Sequence, residues 1–375
     1  MSVIKSDFLV IGAGMAGASV AYELASSGSV IVLEMEDVPG FHSTGRSAAL
    51  YDPSYGIEPV RKMSVASRDF FDNPPDGFCD QPLLKSRGML YIGKESQQAK
   101  VIKFYKDILP LLSDSSLVDR KSMHDMVDVL HDDYQHGVYM SGCFDMDVSA
   151  QHQGYLRLLK NRGGKVLTSQ KVRSIQNKDS VWEVKTSTGV YHSPVVINAA
   201  GAWVDQIAVL AGLKKIGFKA YLRHVFTFDA HLDESFQQWP MVMDADEQFY
   251  FKPEGSHVLA TPADEILIQP GDAHVDDYEV AVGVDRIEKA TTLQVDSLYS
   301  SWAGLRTFAP DRNLVIGEDC TAKGFYWLAG QGGYGIMTAP SSARLLASLV
   351  TGNAFHEDLK AHDINKNDYG LERFC

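Results

Sequence analysis

Residues 7–34 read DFLVIGAGMAGASVAYELASSGSVIVLE, and no other stretch narrows the fold as far. Phe8 to Ile11 is a short apolar run suited to a parallel strand buried on both faces. Gly12, Gly14 and Gly17 follow in the spacing GxGxxG. A helix runs from about Ala13 to Ser26, and Gly28 ends it. Ser29 to Leu33 make a second strand, which Glu34 closes twenty positions beyond Gly14. Strand, glycine turn, helix, strand and acid in this order make a dinucleotide-binding unit. Gly12 permits the tight turn, Gly14 lets a pyrophosphate approach the backbone, and Gly17 lets helix and strand pack closely. Met15 and Ala16 open the helix, whose free N–H groups and positive dipole end face the phosphates. Glu34 is placed to accept hydrogen bonds from a ribose diol, and the lack of an adjacent arginine argues against a 2′-phosphate.

The chain has 375 residues, of which 45% are hydrophobic and 22% charged. That is enough for two domains and a substantial core. Its net charge of -13, with no concentration of lysine and arginine, argues against nucleic acid or an anionic membrane surface as partner. No run of 18 apolar residues suggests a membrane span. The first apolar run is broken at once by glycines, so it reads as part of the fold and not as a signal peptide. A cytoplasmic location is the expectation. Cys79, Cys143, Cys320 and Cys375 show no CxxC spacing, which reads as free thiols in a reducing compartment with no metal site.

Other segments carry the marks of a cofactor lying against backbone. Val195 to Asn198 is an apolar strand that ends in Ala199-Ala200-Gly201, small enough to let a cofactor pass. The preceding VWEVKTSTGVYHS alternates around Thr188-Gly189 as a hairpin. In PGFHSTGRSAALYDPSYG, residues 39–56, the donors Ser43, Thr44, Arg46 and Ser47 precede Ala48 and Ala49. Such a segment is either a solvated loop or a set of donors for a second phosphate or a polar ring edge. Near the C-terminus, GQGGYGIMTAP places four glycines in six residues, Gly330 to Gly335. Glycine costs roughly 0.5–1 kcal/mol relative to alanine in regular elements, so the cluster needs a steric reason. Either positive φ angles are required, or something flat lies against the loop.

Two further stretches suggest an antiparallel sheet. In YLRHVFTF, Leu222, His224, Phe226 and Phe228 share a face and Arg223 points the other way. In QFYFK, Phe249 and Phe251 share a face and Tyr250 lies opposite. An arginine and a tyrosine on the less apolar side either roof a polar cavity or face solvent. His42 and His224 read as structural.

These motifs, with FFDNPPDGFC (70–79), HQGYLR (152–157), FYFKP (249–253) and WAGLRTF (302–308), resemble the FAD-dependent D-amino acid oxidase and dehydrogenase superfamily. The likeness is greatest to its bacterial D-arginine dehydrogenases and extends over nearly the whole chain. It implies an α/β (α+β) fold, a Rossmann-like FAD-binding domain with an interleaved antiparallel-sheet substrate domain. The first would collect residues 1–84, 146–212 and 303–375, and the second 85–145 and 213–302. FAD is implied, non-covalent because no cysteine lies in the glycine-rich motifs. Besides the segments above, the resemblance puts Val172, Ala200 and Gly201 on the cofactor. It lays Gly330, Gly332, Gly333, Tyr334, Gly335 and Ile336 along the flavin, ahead of a helix from about Thr338.

By the same resemblance, Arg223, Tyr250 and Arg306 hold the substrate carboxylate or line its pocket. Tyr55 matches a lid tyrosine, and the Gly333 carbonyl takes a hydrogen bond from the substrate amine. The implied reaction is oxidative deamination of a D-amino acid to a 2-oxo acid and ammonia, with hydride leaving Cα for flavin N5. No catalytic base is singled out. The chain departs from the D-arginine pattern: Arg87-Gly88 lacks the acid that would meet a guanidinium, Leu50 replaces a histidine, and Asp52 replaces a threonine. Either Asp52 compensates or another D-amino acid is preferred. A 2-hydroxy-acid or glycerol-3-phosphate dehydrogenase on the same scaffold, or a flavin-binding subunit without its own activity, are the alternatives. The electron acceptor, quinone or oxygen, stays open.

Overall fold

The computed structural model describes residues 3–375. The strand Phe8–Ile11 pairs in parallel with Val30–Leu33 on one side and Val195–Asn198 on the other. All four of its residues are buried, because alternate side chains feed two different cores. Val10 packs under the helix Met15–Leu24, together with Ala18, Ala21, Tyr155 and Leu346. Leu9 and Ile11 face the opposite core, with Val184, Val196 and Trp327.

The full sheet has six strands, in the order Lys165–Leu167, Val30–Leu33, Phe8–Ile11, Val195–Asn198, Phe325–Ala329, Val315–Glu318. Only the last, at an edge, runs antiparallel to its neighbour. Helices Met15–Leu24, Val148–Asn161 and Gly335–Thr351 cover one face. A four-stranded sheet covers the other, and it contains the hairpin of Val181–Thr186 with Val190–Ser193. The first helix is shorter than its expected span by about two residues at each end. The last begins at Gly335, three residues before the expected Thr338, so it includes the end of the glycine cluster.

A nine-stranded sheet makes the other half of the molecule. Near one edge of it, the strand Lys219–Phe228 pairs antiparallel with Leu298–Phe308, His257–Thr261 and Ile266–Ile268. The boundary expected at 303 therefore falls inside the strand Leu298–Phe308. Phe226, Phe228, Phe249, Phe251 and Val242 fill the core on one face of this sheet. The other face turns toward the parallel sheet.

One expectation is corrected by the fold. Cys320 and Cys375 are joined by a disulfide, their Cα atoms 6.6 Å apart, while Cys79 and Cys143 are free. The C-terminal segment folds back along the edge strand: Ile316 N–H donates to Tyr369 O at 2.9 Å, and Arg373 Nη2 donates to Leu314 O at 3.0 Å. Residues 55 apart in sequence meet through that fold-back, which spacing alone does not reveal. No helix among the described residues is long and apolar enough to cross a membrane.

Candidate active site

One continuous cavity runs from Glu34, across the C-terminal ends of the parallel strands, to Arg306 and Tyr250 on the second sheet. Ligands of open α/β sheets bind at this edge.

At the Glu34 end the wall is mostly backbone. Gly12 has φ +100°, and a Cβ there would stand 2.5 Å from Ala199 O. Gly17 lies behind the cavity wall, where its own Cβ would stand 1.8 Å from Gly12 O, so only glycine lets the helix seat on the strand. Gly14 is the N-cap and provides no side-chain cap. Thr44 Oγ1 accepts from Met15 N–H at 3.0 Å, which brings the 39–56 segment down onto the helix start. Met15, Ala16, Val172, Ala200 and Gly201 line the same stretch. Glu34 is buried, and its carboxylate accepts from Ala13 N–H at 2.7 Å and Glu36 N–H at 3.0 Å.

The donor segment is divided in its allegiance. Ser43, Thr44, Arg46, Ser47 and Ala48 all line the cavity. Ser43 Oγ, however, donates to Leu305 O at 2.7 Å. The Arg46 guanidinium is taken by Ala273 O at 2.9 Å and by Asp272 at 2.5 Å. Much of this loop's donor capacity thus ties the two halves together.

At the other end the wall is side chain. Tyr221 stands opposite Arg306 across the strand pair, and Arg223 stands opposite Gly304. Cross-strand partners share a face, so Arg223 and Arg306 are diagonal neighbours on the side away from the phenylalanines. Tyr250 comes to that face from Tyr250–Glu254, and Met241 and Met243 from Met241–Asp244. Arg306 Nη1 donates to Tyr55 Oη at 3.2 Å, and Nη2 to Tyr250 Oη at 3.5 Å. Among the described residues Arg306 has no carboxylate partner. Burial works against its charge, but Tyr55, Tyr250, Glu265 and Asp264 outweigh that and raise its pKa.

Arg223 is 8% exposed; its Nε donates to Asp264 O at 2.7 Å, and its closest carboxylate, Glu265, is 3.9 Å away. Burial and then the charge of Arg306 lower its pKa. Asp264 itself is occupied by His224, Nδ1 to Oδ2 at 2.8 Å, and Glu265 by Arg312 at 2.7 Å. His224, on the face opposite Arg223, thus holds the residue whose carbonyl takes the Arg223 guanidinium.

The glycine loop meets this charged end. Gly332 N–H donates to Thr307 O at 2.8 Å. A Cβ on Gly332 would lie 2.3 Å from the Phe308 ring, and one on Gly333 would lie 2.9 Å from Arg306 Cζ. Gly330, Gly332, Gly333, Gly335 and Ile336 line the cavity. Tyr334 does not. It is buried behind the wall, hydrogen-bonds Arg312 O, and packs edge-on against Tyr55 with ring centres 5.9 Å apart. The cluster therefore has two uses, since it clears room for Arg306 as well as for a ligand.

Sequence reasoning left out Val225, Met241, Met243 and Gln331, all of which line the cavity. Val225 follows Arg223 by two, and the pattern Met-Val-Met alternates, so strand period was the available signal. Arg87 turns away from the site and pairs with Asp145 at 2.7 Å. Asp52 lines the cavity, and burial raises its pKa, with Ser54 opposing.

The residues present fit a flavin dinucleotide. The Glu34 end offers the turn, helix start and acid for the adenosine diphosphate part. The Arg306 end offers glycine backbone where a flat ring needs it. The sequence matches the family described as DAO, FAD dependent oxidoreductase, over residues 7–349. The chain belongs to this family. Its cofactor is FAD.

Across 377 residues the chain is 24% identical to the uncharacterized oxidoreductase YurR of Bacillus subtilis, covering 95% of this chain and 98% of that one. It is 23% identical to the glycine oxidase of Pseudomonas putida, covering 93% and 95%. Among solved structures, the L-proline dehydrogenase of P. horikoshii superposes with a TM-score of 0.83 at 21% identity, covering 96% of both chains. At that identity the structural likeness establishes the shared fold.

Proposed function

We propose that this FAD-dependent oxidoreductase oxidises the C–N bond of an amino acid, releasing a 2-oxo acid and ammonia after the imine hydrolyses. The observation that carries this reading is Arg306. This half-buried guanidinium makes hydrogen bonds only to two phenols and no ion pair among the described residues, so it keeps donors free for an incoming anion. A substrate carboxylate supplies that anion, and charge-assisted hydrogen bonds of this kind contribute on the order of 1.5–3 kcal/mol. Arg223 sits on the same face as a second donor, with Tyr55 and Tyr250 flanking. The names of the relatives, a glycine oxidase and an L-proline dehydrogenase, support an amino acid as the substrate.

When bound, FAD supplies the two-electron acceptor. This chain's residues do the positioning. Arg306 and Arg223 fix the carboxylate, so that Cα is held facing the glycine loop. The Gly333 carbonyl accepts a hydrogen bond from the substrate amine and so orients it. Leu50, Val225, Met241 and Met243 give the side chain an apolar wall. Tyr55 closes over the carboxylate and excludes water. The D-configuration comes from the resemblance of the motifs, and the apolar wall favours side chains such as those of D-leucine or D-methionine.

The test is a panel of paired D- and L-amino acids, glycine, sarcosine, 2-hydroxy acids and glycerol 3-phosphate. Each is assayed with an artificial electron acceptor and with oxygen. D-amino acids with apolar side chains should turn over fastest. Turnover of hydroxy acids or glycerol 3-phosphate, with none of any amino acid, overturns the reading.

A further inference from the structure

One buried carboxyl group of the pocket, Asp52, has no part in holding the substrate carboxylate. It is 6% exposed and lines the cavity. Its Oδ1 accepts from Ser54 N–H at 2.9 Å, from Ser54 Oγ at 2.6 Å and, weakly, from the Cys143 thiol at 3.8 Å. Its Oδ2 has no partner among the described residues, yet it is not sealed in the interior: it keeps accessible surface, and the space that Asp52 lines is the cavity. Cys143 packs in the same cluster as Leu50, Val225, Met241 and Met243, the apolar wall of the pocket. The free oxygen thus opens beside the wall along which a substrate side chain lies. We infer that Asp52 selects the side chain through its state of protonation: neutral, it admits an apolar side chain, and ionised, it prefers one whose aliphatic stem ends in an ammonium. This rests on the amino-acid reading of the site.

An apolar side chain laid over Oδ2 removes the water left to it. Stripping an ionised carboxylate of water without giving it a new partner is costly, and doing the same to a neutral carboxyl costs far less. Binding such a side chain therefore takes up a proton at Asp52. A side-chain ammonium brings the missing partner and binds the ionised form instead. Arg306 hydrogen-bonds Tyr55 and Tyr250, not Asp52, so the anchor and the selector act on different parts of a ligand.

The titratable and charged groups around Asp52 are Arg61 on the helix Glu58–Ala66, the Cys143 thiol, and Tyr51 beside it in sequence. Across the cavity stand Arg223, Arg306 and the exposed Glu247. Burial pushes the Asp52 carboxyl above the ordinary carboxylate range, against the hydrogen bonds from Ser54 and the charge of Arg61. The sign of the pH dependence follows. Below the folded pKa of Asp52 apolar ligands bind at full strength, and above it their affinity falls by up to about tenfold per pH unit. Ligands that end in an ammonium change in the opposite direction.

The holoprotein tests this with two unreactive carboxylates of equal chain length, hexanoate and 6-aminohexanoate. Their binding is read from the change each makes in the visible flavin spectrum. Neither carries an α-amine, so neither ligand titrates between about pH 6 and 9. Pocket groups that act on the shared carboxylate cancel in the ratio of the two dissociation constants. That ratio, hexanoate over 6-aminohexanoate, should rise at least about tenfold from pH 6 to pH 9. In Asp52→Asn, which keeps the shape and stays neutral, it should hold the low-pH wild-type value at every pH. The kcat/KM values for D-norleucine and D-lysine should follow the same pattern. Flavin content and thermal melts establish that the variant folds. A ratio that is flat with pH in the wild type, or one whose pH dependence survives in Asp52→Asn, overturns the inference and leaves the amino-acid reading intact. If neither carboxylate binds, the anchor is wrong and the inference falls with it. A pH-dependent ratio abolished in Asp52→Asn, with no amino acid turned over, would sink the substrate reading and leave Asp52 as the selector.

Discussion

At the Glu34 end of the cavity, recognition is done by main chain: Gly12 and Gly14 make the turn, and the helix start presents N–H groups. Two side chains, Glu34 and Thr44, complete it by gripping backbone at Ala13 and Met15. At the Arg306 end the wall is made by side chains from strands far apart in sequence, with glycines making space for them. The contrast is one of tolerance. A backbone site fails when any Cβ intrudes, and it has few intermediate states. A side-chain site loses its contacts one at a time, so its variants should stay folded and flavin-loaded while binding weakens.

The largest effect expected on this contrast is at Gly17. A methyl group there collides with Gly12 O, a main-chain atom that cannot move without breaking the turn. Gly17→Ala should yield little soluble protein, and what is soluble should be colourless. Gly255→Ala, outside the cavity, is the matching control. Its φ is +60°, but a Cβ would meet nothing within 4 Å, so the strain is about 1–2 kcal/mol and flavin should be retained. Flavin content per chain, read from the absorption spectrum, checks both. A yellow, stable Gly17→Ala protein would break the account of this end.

Next in size is Arg306→Met. Losing the anchor should raise KM for the amino acid about tenfold to a hundredfold, with flavin content unchanged. Thermal stability without substrate should change little, because the half-buried cation makes no ion pair and only two long hydrogen bonds to phenols. Arg223→Ala should raise KM too, but less. Steady-state kinetics and thermal melts together test the pair, and a large loss of stability in Arg306→Met would mean that the guanidinium is structural.

The first end was legible in the sequence because its chemistry is local. Twenty-eight consecutive residues contain strand, turn, helix, strand and acid, and each constraint is on backbone. Strand period also oriented Arg223 and Tyr250 away from the phenylalanine core. Their meeting with Arg306 depends on strand register, Tyr221 against Arg306 and Tyr250 against Thr261, which spacing does not encode. Arg46 shows the opposite failure. A cation in a donor-rich loop looks available, yet Asp272, more than two hundred residues away, takes it. The Cys320–Cys375 bond was hidden in the same way.

A smaller effect, dependent on pH, concerns what lies beneath the charged face. Burial disfavours a charged His224, but the Asp264 carboxylate outweighs it and raises the pKa above its ordinary value. Burial acts on Asp264 in the opposite direction, and the hydrogen bonds from His224 lower its pKa overall. Stability from the raised histidine is present at low pH and is lost as pH rises through its folded pKa. Stability from the depressed carboxylate is present at higher pH and is lost as pH falls through its folded pKa. The pair is therefore worth most between about pH 4 and 6.5, the ordinary values of the two groups. Asp264→Asn should be less stable than wild type by about 1.5–3 kcal/mol in that window, and the gap should narrow above it. Melts across pH 4 to 9 check this, and a gap independent of pH would remove the charge from the explanation.

The smallest change expected to be readable is Tyr55→Phe. The phenol accepts one hydrogen bond from Arg306 at 3.2 Å, while the ring packs edge-on against Tyr334. Phenylalanine keeps the packing and removes the acceptor, so the fold and flavin content should not change. Arg306 then loses one of its two phenol partners, and kcat/KM should fall about fivefold, the equivalent of one hydrogen bond of about 1 kcal/mol. Tyr250→Phe removes a contact of 3.5 Å, at the limit of a hydrogen bond, and should cost less. Measured on one substrate, the two variants rank the phenols around the anchor. If Tyr250→Phe proves the more damaging, Tyr250 contacts the substrate directly and Tyr55 serves chiefly to pack against Tyr334.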